Sequence, residues 1–290
     1  MDSEYISLTI QLEGYRIFSL IPKSCLVMLK DIIEHRTLIW AFVKRDLKGR
    51  YIGSTIGFLW SVIQPLAMIL VYTVIFSQIM SSKLPGTAAL GKMGYVIYLC
   101  TGILPWIAMQ ETFLRACGAF IEHSAMIKKV SFPPIILISY IVIAGFINLL
   151  ISFSVFLLIM LIAGVKLGAY TLLLPVSLLI FLFFLFTVSF FLAMVHVFFR
   201  DTQQIVSLIL TVWFWVTPIV YLPSLIPEGL RFVTEINPAN YLVNLFRDPI
   251  FYNQFYHWRE ASVFLLSTLL LFVLGSAIFK KLRKHIPDEI

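Results

Sequence analysis

Three ionisable side chains, Glu111, Arg115 and His196, fall inside long apolar stretches of the sequence. Glu111 and Arg115 are four residues apart, so one helix face would carry both and their charges could pair. A charge at the bilayer centre costs about 2.5–3.5 kcal/mol, which favours a functional role for an intramembrane pair; a structural pair near the membrane surface is the alternative. For His196 we predict a structural role.

No group of residues in the sequence predicts a catalytic or metal site. Catalysis would require acids, histidines, or a nucleophile and its base close together. Residues 86–93 have the spacing of a phosphate-binding loop, but Met93 stands where that loop needs a hydroxyl for magnesium, and no strand precedes it. We therefore predict that this chain holds no cofactor and does not hydrolyse ATP by itself.

The composition excludes an ordinary soluble domain. The chain is 60% hydrophobic and 13% charged, whereas soluble domains carry roughly 25% charged residues. The net charge of +7 comes from basic residues between apolar blocks, so we expect membrane lipids rather than nucleic acid as partners. Cys25, Cys100 and Cys117 lack metal-type spacing and are assigned to packing.

Uncharged runs predict an all-α integral membrane protein with six transmembrane helices, because an apolar core of about 30 Å needs about 20 helical residues. Lys and Arg concentrate in the segments on the side of the two termini, so the positive-inside rule places both termini in the cytoplasm. The transmembrane domain is predicted over 53–280 and a cytoplasmic tail over 281–290. The predicted spans are 56–79, 94–119, 134–162, 171–198, 204–222 and 261–280.

A dense basic segment, residues 44–51, ends where the first predicted span begins. Apolar residues recur at spacings of three, four and seven across residues 23–50, which predicts a broken amphipathic helix on the membrane surface. We assign its interface part to residues 31–52 and expect the chain to bend into the span at Gly49. No role is predicted for the lead, residues 1–30.

Two glycines follow this segment at a spacing that can bring helices close together. Gly53 and Gly57 are four residues apart, as in small-xxx-small helix interfaces. They could lie at a seam between two subunits or in packing within one subunit.

The segment between the fifth and sixth predicted spans is patterned but too short to cross the membrane. Between residues 222 and 260, apolar stretches are interrupted by prolines, and neither half reaches the length of a span. We predict two short external helices, joined at Asn237 and Pro238, that dip into the outer leaflet.

Aromatic residues make up 15% of the chain, and most Tyr and Trp near span ends are expected to be interface anchors. A sugar ring has apolar C–H faces, so flat aromatic walls would suit a moving carbohydrate chain. The candidates for contact with such a chain or for lining a channel are Trp106, Trp213, Trp215 and Tyr221. The alternative is that these side chains face lipid or pack between helices.

Taken together, these features resemble the ABC-2-type membrane subunits of polysaccharide exporters, which move lipid-linked O-antigen, capsule or teichoic acid chains. The resemblance covers about residues 36–284 and rests on the order of short motifs relative to the six spans. These motifs are Arg45-Asp46-Leu47-Lys48-Gly49-Arg50-Tyr51, Ser54, Gly57, Leu59-Trp60, Pro65-Leu66, Gly102-Ile103-Leu104-Pro105-Trp106, Lys128-Lys129-Val130-Ser131-Phe132-Pro133, Phe198-Phe199-Arg200-Asp201, Trp215-Val216-Thr217-Pro218-Ile219-Val220-Tyr221 and Ile236-Asn237-Pro238.

The resemblance implies a homodimer in the cytoplasmic (inner) membrane, with a channel along the dimer axis. It also implies two copies of a separate cytoplasmic ATPase, which would bind ATP and Mg, and a lipid-linked polysaccharide as the substrate. The short external helices would be gate helices. The family contacts its ATPase through the interface helix and the 121–133 loop, which implies ATPase-coupling roles for Arg45, Lys48, Arg50, His123, Lys128 and Lys129.

Two other functions are weighed against polysaccharide export. One is an ABC-2 exporter of a drug or another lipophilic small molecule. The other is a membrane-embedded transferase acting on lipid-linked sugars, which would need a catalytic acid or histidine on the loops. The external acids Glu228, Glu235, Asp248 and Glu260 are spread out in sequence without an obvious partner.

Overall fold

The computed structural model describes residues 23–50, 53–79, 93–129 and 132–282, and every regular element in those ranges is helical. This agrees with the all-α prediction. The basic N-terminal region forms two helices, α1 (Lys23–Glu34) and α2 (Arg36–Gly49), with a break at His35. Helix α2, which lies within the range predicted for the interface helix (31–52), begins at Arg36. Most of the predicted tail and most of the phosphate-loop-like stretch lie outside the described residues.

Helix α2 is amphipathic, as predicted, and its apolar side packs on the protein. Ile39, Phe42 and Val43 are buried, whereas Trp40 is 48% exposed. Phe42 lies 5.4 Å from the ring of Tyr140 in the helix Ile135–Ile162. This contact fixes α2 against the helical core.

The bend between α2 and the next helix does not occur at Gly49. The helical backbone continues through Arg50, at φ −58° and ψ −24°. The left-handed backbone conformations occur at Gly53 (φ 84°) and Gly57 (φ 58°), where a side chain would be strained. Both glycines precede helix α3 (Trp60–Ile79). The prediction that they form a helix-packing motif is therefore wrong; they shape a turn.

The remaining long helices follow the predicted spans closely at most boundaries. A 3-10 turn, Ala169–Leu173, leads into the helix Leu174–Phe198, and the short helix Ser124–Lys129 follows the helix Gly94–Glu122 directly. The long helices are α4 (Gly94–Glu122), α6 (Ile135–Ile162), α7 (Leu174–Phe198), α8 (Thr202–Val216) and α11 (Trp258–Leu282), and α5 is Ser124–Lys129.

Four of the described helical segments are long and apolar enough to cross a membrane: Gly94–Glu122, Ile135–Ile162, Ala169–Phe198 and Trp258–Phe279. Helix α8 has 15 residues, about 22 Å of helix, and it ends at Val216 rather than at 222. Thr217 is extended ahead of Pro218, because the residue before proline disfavours the helical conformation.

Helix α4 lies at the centre of the packing. It is 83% buried over its most apolar window, against 33–39% for the other three span candidates, and it is the least apolar of the four. It packs against α6, α7, α8 and α10 (Pro238–Arg247). A helix surrounded by protein can carry polar residues, whereas helices with exposed sides in a bilayer must be apolar.

The segment after α8 contains the two predicted short helices, α9 (Arg231–Ile236) and α10, joined at Asn237. The Asn237 side chain caps α10 by accepting a hydrogen bond from the Ala239 amide at 3.0 Å. A π-helical turn, Asp248–Tyr252, follows α10 and ends at Asn253, which has a left-handed backbone.

Candidate functional sites

An ion cluster joins α2 to α4, and it differs from the predicted pair. Arg50 donates to Glu111 Oε1 from Nη1 at 2.5 Å and to Asp46 Oδ2 from Nε at 3.2 Å. Arg115 donates to the other oxygen of Asp46. The predicted Glu111–Arg115 contact exists, but its N–O distance is 4.0 Å. The main pairs are therefore between helices, and we call Asp46, Arg50, Glu111 and Arg115 the ion cluster.

Electrostatics and partial burial both act on Arg50, which lies just past the end of α2. Burial alone would lower its pKa, but the carboxylates of Glu111 and Asp46 together raise that pKa above its ordinary value. Arg50 therefore stays charged and holds both acids. Asp46 was absent from the predicted site residues; the available signal was its position four residues before Arg50 among basic neighbours.

A cavity of about 100 Å³ lies beside the ion cluster. It is lined by Arg50 and Glu111 together with polar and apolar residues of α3, α4 and α6, among them Gln64 and Asn148. Among the described residues, neither Arg50 Nη2 nor Asn148 Oδ1 has a hydrogen-bond partner, although both atoms are buried. This volume can hold a few water molecules, which would keep the cluster hydrated.

Tyr140 connects α2 with the start of the predicted coupling loop. His123 Nδ1 lies 3.0 Å from the Ala119 carbonyl, so this nitrogen is the donor and Nε2 is left to accept from the Tyr140 hydroxyl at 3.3 Å. Tyr140 also packs on Phe42, and the Arg45 guanidinium lies 4.8 Å from the Phe42 ring. His123 thus contacts the chain's own core.

The other predicted coupling residues lie at the surface. Lys48 near the end of α2 is exposed, as are Lys128 and Lys129 at the end of α5. In the part of the chain that the structure describes, these three lysines form no ion pair. Arg45 is also exposed. The six predicted residues therefore divide into four outward-facing cations and two inward-facing groups, Arg50 and His123.

The four aromatic candidates do not form one wall. Trp106 is only 2% exposed and packs edge-on against Trp213 with ring centroids 6.1 Å apart. The structure therefore corrects the prediction for Trp106, which belongs to the packed core. Trp213 is half-buried and donates from Nε1 to Asn237 Oδ1 at 2.7 Å. Trp215 is 65% exposed, and the Tyr221 hydroxyl donates to its carbonyl at 2.9 Å.

A second polar cluster lies at the opposite end of α4, about 20 Å along the helix from the ion cluster. Arg247 is 1% exposed, and its guanidinium carbon lies 3.6 Å from the centroid of the Tyr98 ring. The guanidinium donates to the carbonyls of Pro218 at 3.0 Å and of Tyr98 and Ile219 at 3.4 Å. Among the described residues no carboxylate pairs with it. We call this group the Arg247 cluster.

Asn237 joins the Arg247 region to α8. Its Oδ1 accepts from Trp213, and its Nδ2 donates to the hydroxyl of Thr217 at 3.0 Å. Arg247 is not among the site residues predicted from the sequence. A local signal existed: Asn240, Asn244 and Arg247 fall on one face of a helix whose other residues are mostly apolar.

Comparison with known proteins identifies the family. The model of the ABC-2 type transporter membrane family matches residues 37–251. The chain belongs to the ABC-2 type transporter family. With its apolar helices, this ABC-2 protein is a multi-pass membrane protein. The matched range contains both clusters and all of the predicted site residues.

Relatives of this ABC-2 chain are named as polysaccharide permeases. It is 30% identical to the O-antigen export system permease protein RfbA of Myxococcus xanthus, over 91% of this chain and 99% of the relative. It is 29% identical to the RfbA protein of Klebsiella pneumoniae, over 87% and 94%. It is 22% identical to the polysialic acid transport protein KpsM of Escherichia coli, over 84% and 93%.

Proposed function

We propose that this chain is the membrane subunit of an ATP-driven exporter that moves lipid-linked polysaccharide, such as O-antigen, across the cytoplasmic membrane. The observation that carries the proposal is the end-to-end similarity to a permease named for O-antigen export, over 91% of this chain and 99% of that relative. The match therefore includes nearly the full length of that relative.

The proposed assembly is a homodimer with two copies of a separate cytoplasmic ATPase that binds ATP and Mg. In it, α3 and α8 complete six spans with the four longer helices, and both termini lie in the cytoplasm. The short helices α9 and α10 would lie in the outer leaflet as gate helices. One observation supports this placement for α9: its apolar residues Phe232 and Ile236 are exposed.

In the proposed coupling path, the ATPase contacts the outward-facing cations Arg45, Lys48, Lys128 and Lys129. Arg50 and His123 then carry the displacement inward, because they bond to α4 and α6 through Glu111 and Tyr140. Trp213, Trp215 and Tyr221 are the proposed contacts for the saccharide, since Trp106 is enclosed by protein.

Deletion of the gene tests the function directly. We expect polysaccharide to accumulate on its lipid carrier inside the cell and to disappear from the surface, with both effects reversed by the gene on a plasmid. The measurement is immunoblotting of the polymer in spheroplasts before and after permeabilisation. Normal surface polymer in the deletion strain would reject the proposal and would leave export of a small lipophilic compound as the better account.

Charge reversal at α5 tests the coupling path. We expect Lys128→Glu with Lys129→Glu to lower export and to uncouple the ATPase, because both side chains are exposed and unpaired among the described residues. Thermal stability should change little, since substitutions at exposed sites usually alter it by about 0.5 kcal/mol or less. The matched control is Lys166→Glu with Arg259→Glu, two exposed cations at the other end of the protein. Equal export by both double variants would remove the coupling assignment.

A further inference from the structure

The polar face of α10 lines a cleft that is open to solvent on one side. Asn240, Asn244 and Arg247 lie four and three residues apart and share this face. Asn244 is 7% exposed and Arg247 is 1% exposed. The opposite face is apolar and anchored, with Phe246 stacked on Phe153 at 5.2 Å. The packing of α10 therefore holds its polar residues in fixed positions at the cleft.

The cleft has a volume of about 460 Å³, within the range of sites for small organic ligands. It lies between α9, α10, the turn before α9 and the residues that lead into α11. Its lining combines amides, hydroxyls, charged groups and one aromatic ring. The lining residues are Pro223, Ser224, Arg231, Thr234, Glu235, Asn240, Asn244, Arg247, Tyr252 and His257.

Two hydrogen-bonding groups in the cleft have no partner among the residues that the structure describes. Arg247 uses Nη1 and Nη2 on carbonyl groups, but its buried Nε has no acceptor among the described residues. The side-chain amide of Asn244 likewise makes no hydrogen bond within the described part of the chain, although the residue is 7% exposed. A buried donor without an acceptor costs about 1–3 kcal/mol, so a ligand that supplies acceptors would be stabilised here.

The charges around the cleft are nearly balanced. Arg231 lies 3.7 Å from Glu228, and His257 lies 2.9 Å from Asp248. Glu235 offsets Arg247 in the lining. A site for a highly charged anion would carry an excess of cations. This lining instead contains both hydrogen-bond donors and hydrogen-bond acceptors. Hydroxyl groups donate and accept at once, so a neutral polyhydroxyl ligand matches this pattern.

We propose that the cleft formed by α9, α10 and the start of α11 is a saccharide-binding site, in which Arg247 Nε and the Asn244 amide bond to sugar hydroxyls and the Tyr252 ring covers a C–H face. The choice of ligand rests on the proposed export function, because an exported polysaccharide would pass this end of the protein. The volume suits one or two sugar units, and Tyr252 at 38% exposure can offer a ring face.

The test is equilibrium binding to the purified chain in complex with its ATPase. The probe is the repeat-unit oligosaccharide released by mild acid from the surface polysaccharide of the strain that carries the gene. We expect Asn244→Leu to weaken binding at least tenfold, because it removes the amide without breaking a hydrogen bond of the described protein. The control, Gln254→Leu, removes a nearby exposed amide outside the cleft and should change binding less than twofold.

A second variant keeps the test decisive if Asn244→Leu does not fold. Tyr252→Leu retains apolar volume at a partly exposed position and should also weaken oligosaccharide binding at least tenfold. Unchanged binding in the folded variants would overturn the proposal. So would binding of inorganic pyrophosphate without binding of the oligosaccharide, which would identify an anion site. A strain that exports polymer normally while its protein fails to bind the probe would reject this site alone and would leave the export function standing.

Discussion

The ion cluster and the Arg247 cluster stabilise positive charge in two different ways. In the ion cluster, Arg50 and Arg115 pair with Asp46 and Glu111 across two helices, with side chains 16–40% exposed. In the Arg247 cluster, a guanidinium that is 1% exposed is held by carbonyl groups and the Tyr98 ring. Carbonyl groups are fixed by the backbone, whereas ion pairs beside a cavity large enough for water can exchange partners.

This difference predicts that the end of α4 at the ion cluster is more mobile than the end at the Arg247 cluster. Partly exposed ion pairs contribute little individually and are weakened by salt, so the ion cluster itself opposes a shift of α2 on α4 only weakly. Removal of a buried charged group from all its partners costs much more. We therefore expect the Arg247 cluster, near Tyr98, to be the fixed point of α4.

The largest effect is expected from Arg247→Met. The substitution removes hydrogen bonds to three carbonyl groups and the contact with Tyr98, and we expect a loss of about 3 kcal/mol or more of unfolding free energy. Thermal unfolding in detergent measures it. Arg259→Met, at an exposed position, is the control. If the two variants have the same melting temperature, Arg247 is not the fixed point of α4.

In the ion cluster, the coupling free energy of a pair between α2 and α4 should exceed that of the pair within α4. A double-mutant cycle of Asp46→Asn and Arg115→Gln is expected to give about 1–2 kcal/mol, because a charged hydrogen bond joins the two. The cycle of Glu111→Gln and Arg115→Gln should give about 0.5 kcal/mol or less, since their contact is 4.0 Å. Unfolding in denaturant, at low and high salt, measures both. The reverse order would restore the pair expected from sequence.

The two glycines near the bend should differ in the sign of their response to alanine. Gly53→Ala is expected to lose about 1 kcal/mol, because its φ of 84° is unfavourable for a side chain. Gly49→Ala lies within a helix with nothing within 4 Å of the added carbon, so a gain of about 0.5 kcal/mol is expected. Thermal unfolding of the two variants side by side checks the signs. A loss at Gly49 would move the bend back to that position.

The smallest effect is a pH dependence from the pair of His257 and Asp248. The hydrogen bond with Asp248 is the main cause that raises the pKa of His257 above 6.5. A raised pKa in the folded state gives stability that is present below pH 6.5 and lost as the pH rises through the folded-state pKa. The difference in melting temperature between wild type and His257→Gln should therefore shrink between pH 6 and pH 8.5. A difference independent of pH would show that the imidazolium charge contributes nothing.

Much of the helical frame could be predicted from the sequence, because lipid and protein burial both select apolar runs. The third span was predicted at 134–162, and α6 is Ile135–Ile162. The end of the fifth was missed because the uncharged run continues past Pro218, which ends the helix without any charge. The junction of the short helices at Asn237 was predicted correctly, because proline and asparagine mark such ends locally.

The contacts within the two clusters could not be predicted from the spacing of residues along the sequence. Asp46 and Arg115 are 69 residues apart, and nothing in the i, i+4 pattern of α4 favours that pair over Glu111–Arg115. Arg247 donates to the carbonyls of Pro218 and Ile219, which become available where the chain leaves α8, and to that of Tyr98 in α4. Its absence from the predicted site residues was reasonable from sequence, since buried arginines are rare.

The central position of α4 has a consequence for synthesis of the protein in the cell. Each new segment can transfer into the lipid bilayer during synthesis, and charged residues such as Glu111 and Arg115 make that transfer less favourable. Of the four span candidates, α4 is the least apolar. It therefore enters the bilayer readily only alongside neighbours that cover its polar side. Insertion of α4 together with α3 and α6 follows, and a ribosome stalled before α6 would leave α4 exposed to quality control.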